Sequence, residues 1–226
     1  MTVAENLVNI QNNIRKACEK ANRKIEDITI IGVTKYVSIE RTIEAIDSGV
    51  KHIGENRPEG LLSKKESIAN EAIWHFIGTL QSRKVKDVID HVDYIHSLDR
   101  MSLAKEINKR QEKKINCFVQ VNTSGEQSKH GLNEEEVHAF IQQLKEYPSI
   151  HVVGLMTMAP HVTDETVLRT TFRKLKLLKE EIEEQQYSHA PCQYLSMGMS
   201  NDYMIAIEEG ATHIRIGSEL VGPYEE

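Results

Sequence analysis

The chain has 226 residues, enough for one large domain, and an α/β barrel would use all of them. Its 28 Lys and Arg against 34 Asp and Glu give a formal net charge of −6, which argues against a general nucleic-acid binder, since that role needs a basic face. No apolar run approaches the roughly 20 residues of a membrane span, and the polar start Met1-Thr2-Val3-Ala4-Glu5-Asn6 lacks an apolar signal core, so a cytoplasmic protein is expected.

Residues 4–23 read as a helix, because Leu7, Ile10, Ile14 and Cys18 recur at three- and four-residue spacing among charges. A β-branched run at 28–35 follows and ends on Lys35. A helix over 38–49, stopped by Gly49, leads to a short strand at 52–54. Helices at 58–69, 82–89 and 101–112 then alternate with strands at 74–78, 94–97 and 115–121. The second half continues with helices at 134–147, 165–185 and 203–210, and strands at 151–156, 193–197 and 212–218. Eight strands separated by helices predict a (β/α)8 barrel with an extra N-terminal helix. No linker-like tract interrupts the rhythm, so residues 1–226 are expected to form one domain. An open doubly wound sheet is the rival, but the turn after the first strand is Tyr36-Val37-Ser38, not a Gly-rich phosphate loop.

The three cysteines, Cys18, Cys117 and Cys192, are far apart and form no Cys-x-x-Cys, which favours buried, reduced thiols over disulfides or zinc. The ten histidines show no ligand spacing, so no metal is expected.

Lys35 stands at the C-terminal end of the first strand, where barrels place reactive groups and where a lysine amine can capture an aldehyde. The plainer alternative is a solvated lysine just past a strand. Tyr36 follows it and, by strand alternation, should point the other way. Arg215 lies within the eighth strand and needs a partner: either a carboxylate such as Glu55 or Asp202, or a bound ligand. The small-residue turn Ser196-Met197-Gly198-Met199-Ser200-Asn201-Asp202, with Ser200 or Asn201 starting a helix, and the pair Gly217-Ser218 are two pieces of an anion site. Barrels use the loops after strands seven and eight for phosphate. Asn56 follows the second strand, as a ligand contact or a turn former. Met156 ends the sixth strand, as packing or beneath a bound ring. Gln120 and Asn122 are polar lining or bind water. The polar loop 122–131 reads as a flap over the mouth, and Lys129 within it either approaches a ligand or is an ordinary exposed lysine.

Taken in order, Val33-Thr34-Lys35, Gly54-Glu55-Asn56, Trp74-His75-Phe76-Ile77-Gly78-Thr79-Leu80-Gln81, Ser196-Met197-Gly198-Met199-Ser200 and Arg215-Ile216-Gly217-Ser218 resemble the pyridoxal phosphate homeostasis proteins over nearly the whole chain. The resemblance implies a fold-type III barrel similar to the N-terminal domain of bacterial alanine racemase. It implies pyridoxal 5′-phosphate held as a Schiff base on Lys35, with Ser200, Gly217 and Ser218 at the phosphate. Arg215 would face the pyridine nitrogen and Asn56 the cofactor. Ser218 stands where many relatives have Thr, and Arg57-Pro58-Glu59 departs from the commoner sequence. Alanine racemases of this type add a β-rich domain that supplies a tyrosine base, which is not found in these 226 residues. The expected function is therefore holding the cofactor and releasing it by transimination to an apo-enzyme or a free amino acid, from a monomer. The alternatives are a slow amino-acid racemase using the same lysine and a Schiff-base aldolase acting on a phosphosugar.

Overall fold

A computed structural model describes residues 2–68, 72–126 and 130–223. Eight short apolar runs become strands β1 (Thr29–Val33), β2 (His52–Glu55), β3 (Ile73–Phe76), β4 (Tyr94–Leu98), β5 (Ile115–Gln120), β6 (Ile150–Met156), β7 (Tyr194–Met199) and β8 (His213–Ile216). All pair in parallel, in chain order, and β8 returns to β1 in the register Ile31↔Arg215 and Gly32↔Ile216. The barrel is closed, so no strand edge is left open.

Helix α1 (Val3–Lys20) precedes the barrel. A reciprocal cap starts it: Thr2 Oγ1 accepts from the Glu5 amide at 3.2 Å, and the Glu5 carboxylate accepts from the Thr2 amide at 2.9 Å. It stops earlier than its periodicity predicts because Asn22 turns to a φ of 52°. Its apolar stripe closes the seam between the last and first barrel units, where the Asn6 side-chain amide donates to the Leu220 carbonyl at 2.9 Å. The outer layer follows as α2 (Ile39–Asp47), α3 (Pro58–Ser67), α4 (Val85–Val88), α5 (Met101–Arg110), α6 (Val137–Gln143), α7 (Glu165–Glu184), α8 (Tyr203–Glu208) and α9 (Ser218–Val221).

The main apolar core lies between sheet and helices, around Trp74, Phe76, Leu103, Phe172 and Ile216. Inside the barrel the filling is different. Barrel interiors are usually packed with branched aliphatic side chains, but here His75, His96 and His213 gather with Phe118 and Tyr94, and the His75 and Tyr94 rings stack at 4.4 Å. All three cysteines are buried as free thiols, and burial pushes each thiol pKa up. Among the described residues, no helix is long and apolar enough to cross a membrane.

Two strand ends differ from expectation near the mouth. Strand β1 ends at Val33, two residues before Lys35, and β8 ends at Ile216, so that Ser218 already opens α9. Helix α8 begins at Tyr203, as its 203–210 reading has it, but the residue that precedes it is Asp202 and not Ser200 or Asn201, and the Asp202 carboxylate accepts from the Met199 amide at 2.6 Å.

Candidate functional site

The segment that carries Lys35 is pinned from behind the sheet. Thr34 is fully buried, and its hydroxyl donates to Glu55 Oε1 at 2.6 Å. Lys64, from α3, donates to the same Glu55 oxygen at 2.7 Å and to the Thr34 carbonyl at 2.5 Å. The buried Lys64–Glu55 pair therefore fixes residue 34 through both its side chain and its backbone, which sets where Lys35 leaves the strand. Lys64 could have been recognised in the sequence: with Leu61 and Ile68 it keeps the three- and four-residue spacing of a buried helix face.

Tyr36 does not turn away from Lys35 as alternation would have it. Its φ is 63°, in the left-handed region that β-carbon sterics disfavour. The strand has ended, so alternation no longer applies. The ring centroid comes within 5.9 Å of Lys35 Nζ, and the Arg57 guanidinium lies 5.1 Å from the same Tyr36 ring centroid.

Arg215 projects into the barrel and is 5 % exposed. It donates to Ser196 Oγ at 2.6 Å and to the Thr157 carbonyl at 2.9 Å. Neither expected carboxylate forms an ion pair with it among the described residues: Glu55 is taken by Lys64, and Asp202 acts only through its field. Burial lowers the Arg215 pKa to about 10, with Asp202 opposing the shift, so it remains a cation near neutral pH. Thr157 is itself held, donating to the Val121 carbonyl at 2.8 Å and meeting the Thr123 hydroxyl at 3.1 Å. The anchoring roles of Ser196 and Thr157 carry no sequence signal beyond inward parity.

Between β7 and β8 the Gly217 amide donates to Ser200 Oγ at 3.4 Å. A β-carbon at Gly217 would meet nothing closer than 3.6 Å, the distance to Val33, so no protein atom fills the space a side chain would take. This leaves a small cradle beside the Ser218 hydroxyl. Across the mouth, a β-carbon at Gly78 would fall 2.3 Å from the Asn56 carbonyl oxygen, so only glycine lets the Asn56 backbone pack there.

One cavity of about 380 Å³ gathers these groups, a size suited to a small molecule. Lys35, Asn56, Ser200, Arg215, Gly217 and Ser218 all line it, as do Gln120, Met158 and Met199. Met156 does not. It is 2 % exposed and packs with Phe118 and Val153, while Met158, two residues on, reaches the cavity. The flap loop is tied at its base, where the Asn122 amide donates to the Leu132 carbonyl at 2.8 Å and the Leu132 amide to the Gln120 carbonyl at 2.9 Å. Lys129 lies outside the described residues. Among the described residues, no group of three or more His, Cys, Asp or Glu is arranged to hold a metal ion.

An amine at one wall, an arginine held by neutral acceptors at another and a hydroxyl-and-amide cradle between them suit a phosphorylated aldehyde. The family described as alanine racemase, N-terminal domain, matches residues 6–225, which defines the class of barrel. A pyridoxal phosphate homeostasis protein of Aquifex aeolicus (strain VF5) is 40 % identical over 226 residues, covering 98 % of each chain. Among solved structures, an unknown protein from Bifidobacterium adolescentis matches with a TM-score of 0.91 at 32 % identity, covering 96 % of this chain and 94 % of that one. The protein PipY of Synechococcus elongatus, solved with pyridoxal phosphate bound, matches with a TM-score of 0.84 at 28 % identity, covering 97 % of this chain and 100 % of that one. The chain belongs to the pyridoxal phosphate homeostasis protein family.

Proposed function

We propose that this protein binds pyridoxal 5′-phosphate at the C-terminal mouth of the barrel and serves intracellular homeostasis of that cofactor. The observation that carries the reading is the convergence of Lys35, Arg215, Ser200, Gly217 and Ser218 on one cavity. The bound cofactor supplies an aldehyde that a lysine amine captures reversibly.

Each residue then has a physical task. Lys35 presents its amine from a backbone fixed by Thr34, Glu55 and Lys64. The hydroxyls of Ser200 and Ser218 and the open backbone at Gly217 hold the phosphate group, the strongest acceptor of the ligand. Arg215 keeps a positive charge on the cavity wall, which disfavours protonation of a ring nitrogen placed against it, because two cations would meet. An unprotonated ring is a weak electron sink, which suits holding the cofactor over driving carbanion chemistry. Asn56 offers its side chain to the ligand from the opposite rim. For release, the amine of an apo-enzyme or of a free amino acid would compete with the Lys35 amine for the aldehyde that the cofactor supplies.

The test is incubation of the protein with pyridoxal phosphate, followed by an acceptor apo-enzyme. Transfer faster than release into buffer supports delivery. Transfer at the free-release rate restricts the role to storage.

A further inference from the structure

The barrel interior holds a polar column that the cofactor site does not account for. In β2, β3 and β4 the registers are His52↔Ile73 and His75↔Tyr94, so His75 sits two residues above the partner of His52, and His96 two above the partner of His75. Two residues are one inward layer of a strand, roughly 7 Å of rise. The three imidazoles thus climb as a stair from the lower mouth, and each step is a hydrogen bond. His52 Nδ1 meets His75 Nε2 at 2.9 Å, and His75 Nδ1 meets His96 Nε2 at 2.8 Å. At the top, His96 Nδ1 meets Ser196 Oγ at 2.9 Å, the same oxygen that accepts from Arg215.

The column has a direction. Arginine only donates, so the Arg215 contact uses a lone pair of Ser196. The serine proton then has one acceptor among the described contacts of Ser196, His96 Nδ1. With that nitrogen accepting, His96 carries its proton on Nε2 and donates to His75. His75 does likewise to His52, which turns its own Nε2–H toward the lower mouth. The opposite direction would leave the Ser196 proton buried without an acceptor, a costly arrangement for a fully buried hydroxyl. Burial holds His52 below the ordinary imidazole range and His75 and His96 well below it, in keeping with neutral rings.

We propose that His96, His75 and His52 are positioning residues for Arg215: a one-way ladder of Nε2–H imidazoles fixes the Ser196 hydroxyl with its lone pair toward the guanidinium, and so aims that cation at the cavity. A rung cannot reverse alone, because an N···N hydrogen bond needs one donor and one acceptor. A change at the lower mouth is therefore felt at the cofactor wall. The effect on a bound ring rests on the pyridoxal phosphate reading; the ladder itself does not, and it is tested in ligand-free protein.

The experiment is long-range ¹H–¹⁵N correlation NMR on ligand-free protein with ¹⁵N-labelled histidine and arginine, the rungs assigned by single substitution. The expected result is Nε2–H on His52, His75 and His96. In Ser196→Ala and in His52→Leu, the ring-nitrogen shifts are expected to move at every remaining rung, and the Arg215 side-chain nitrogen signals to move with them. His52→Asn, whose Oδ1 stands where Nδ1 accepts, restores the wild-type pattern. On addition of pyridoxal phosphate, Ser196→Ala and His52→Leu raise its Kd, by about tenfold and about threefold respectively. His52 is only half-buried, so His52→Leu carries the test even if Ser196→Ala does not fold. Nδ1–H on any rung, or Arg215 signals unmoved by His52→Leu, would overturn the proposal. An intact ladder in protein that fails to bind pyridoxal phosphate would leave the ladder standing and remove the cofactor reading alone.

Discussion

Lys64 and Arg215 are equally buried, 5 % exposed each, and the protein holds them in opposite ways. Lys64 lies behind the sheet and meets a carboxylate, Glu55, at 2.7 Å. Arg215 lies inside the barrel, and both of its hydrogen-bond acceptors, a hydroxyl and a carbonyl, are neutral. An ion pair in the interior offsets its own desolvation only when both charges are satisfied, and the first site meets that condition within the protein. The second leaves its positive charge to be complemented from the cavity. The contrast separates scaffold from cavity wall: Lys64 sets the backbone that carries Lys35, and Arg215 lines the cavity with its charge.

The comparison can be broken from either side. Lys35→Ala is expected to have the largest effect, a complete loss of borohydride-fixable pyridoxal phosphate by mass spectrometry, with Tm little changed. Lys64→Met leaves the Glu55 carboxylate buried without its partner and is expected to cost about 3–5 kcal/mol in denaturant unfolding. The double change Glu55→Gln with Lys64→Met should recover most of that loss, because no lone charge remains. If the double variant is as unstable as the single one, the pair is not what anchors residue 34.

The histidine-filled interior predicts acid lability. Burial lowers His213 to about 3 and holds His75 and His96 well below the usual imidazole range. Each binds fewer protons folded than unfolded, so stability is intact above the unfolded imidazole pKa of about 6.5 and falls as pH drops below it. The slope is up to about 1.4 kcal/mol per pH unit for each histidine, readable as a Tm that declines between pH 7 and pH 5. Arg215→Met should be milder than Lys64→Met in stability, about 1–2 kcal/mol, since it strands a hydroxyl and a carbonyl rather than a charge. Its pyridoxal phosphate affinity should nevertheless fall about tenfold. Ser218→Ala is the smallest, about a threefold rise in Kd from one lost hydroxyl contact.

The fold was legible because its signals are local. Apolar β-branched runs alternate with helical spacing eight times, and the strand ends that carry Lys35, Asn56, Arg215, Gly217 and Ser218 could be placed from that rhythm. What was not legible depends on contacts across the barrel. Met156 was expected as a possible floor beneath a ligand, but it is buried against Phe118 and Val153, and Met158 from the following loop lines the cavity instead. Tyr36 was misplaced because strand alternation was carried past Val33, where the chain has already turned to a positive φ. The partner of Arg215 was sought among carboxylates, the usual complement of a buried arginine; a serine 19 residues earlier and a carbonyl 58 residues earlier carry no such mark in sequence. The histidines of β2, β3, β4 and β8, His52, His75, His96 and His213, show no pattern until the closed sheet sets their registers.

The central claim is that Lys35 is the amine that holds pyridoxal phosphate. Its most direct test is the visible absorption spectrum of the protein loaded with that cofactor, taken before and after borohydride and followed by peptide mapping. A yellow band that bleaches and leaves a single pyridoxyl group on the Lys35 peptide is the predicted result. A protein that stays colourless with pyridoxal phosphate, or a pyridoxyl group fixed on another lysine, would contradict it.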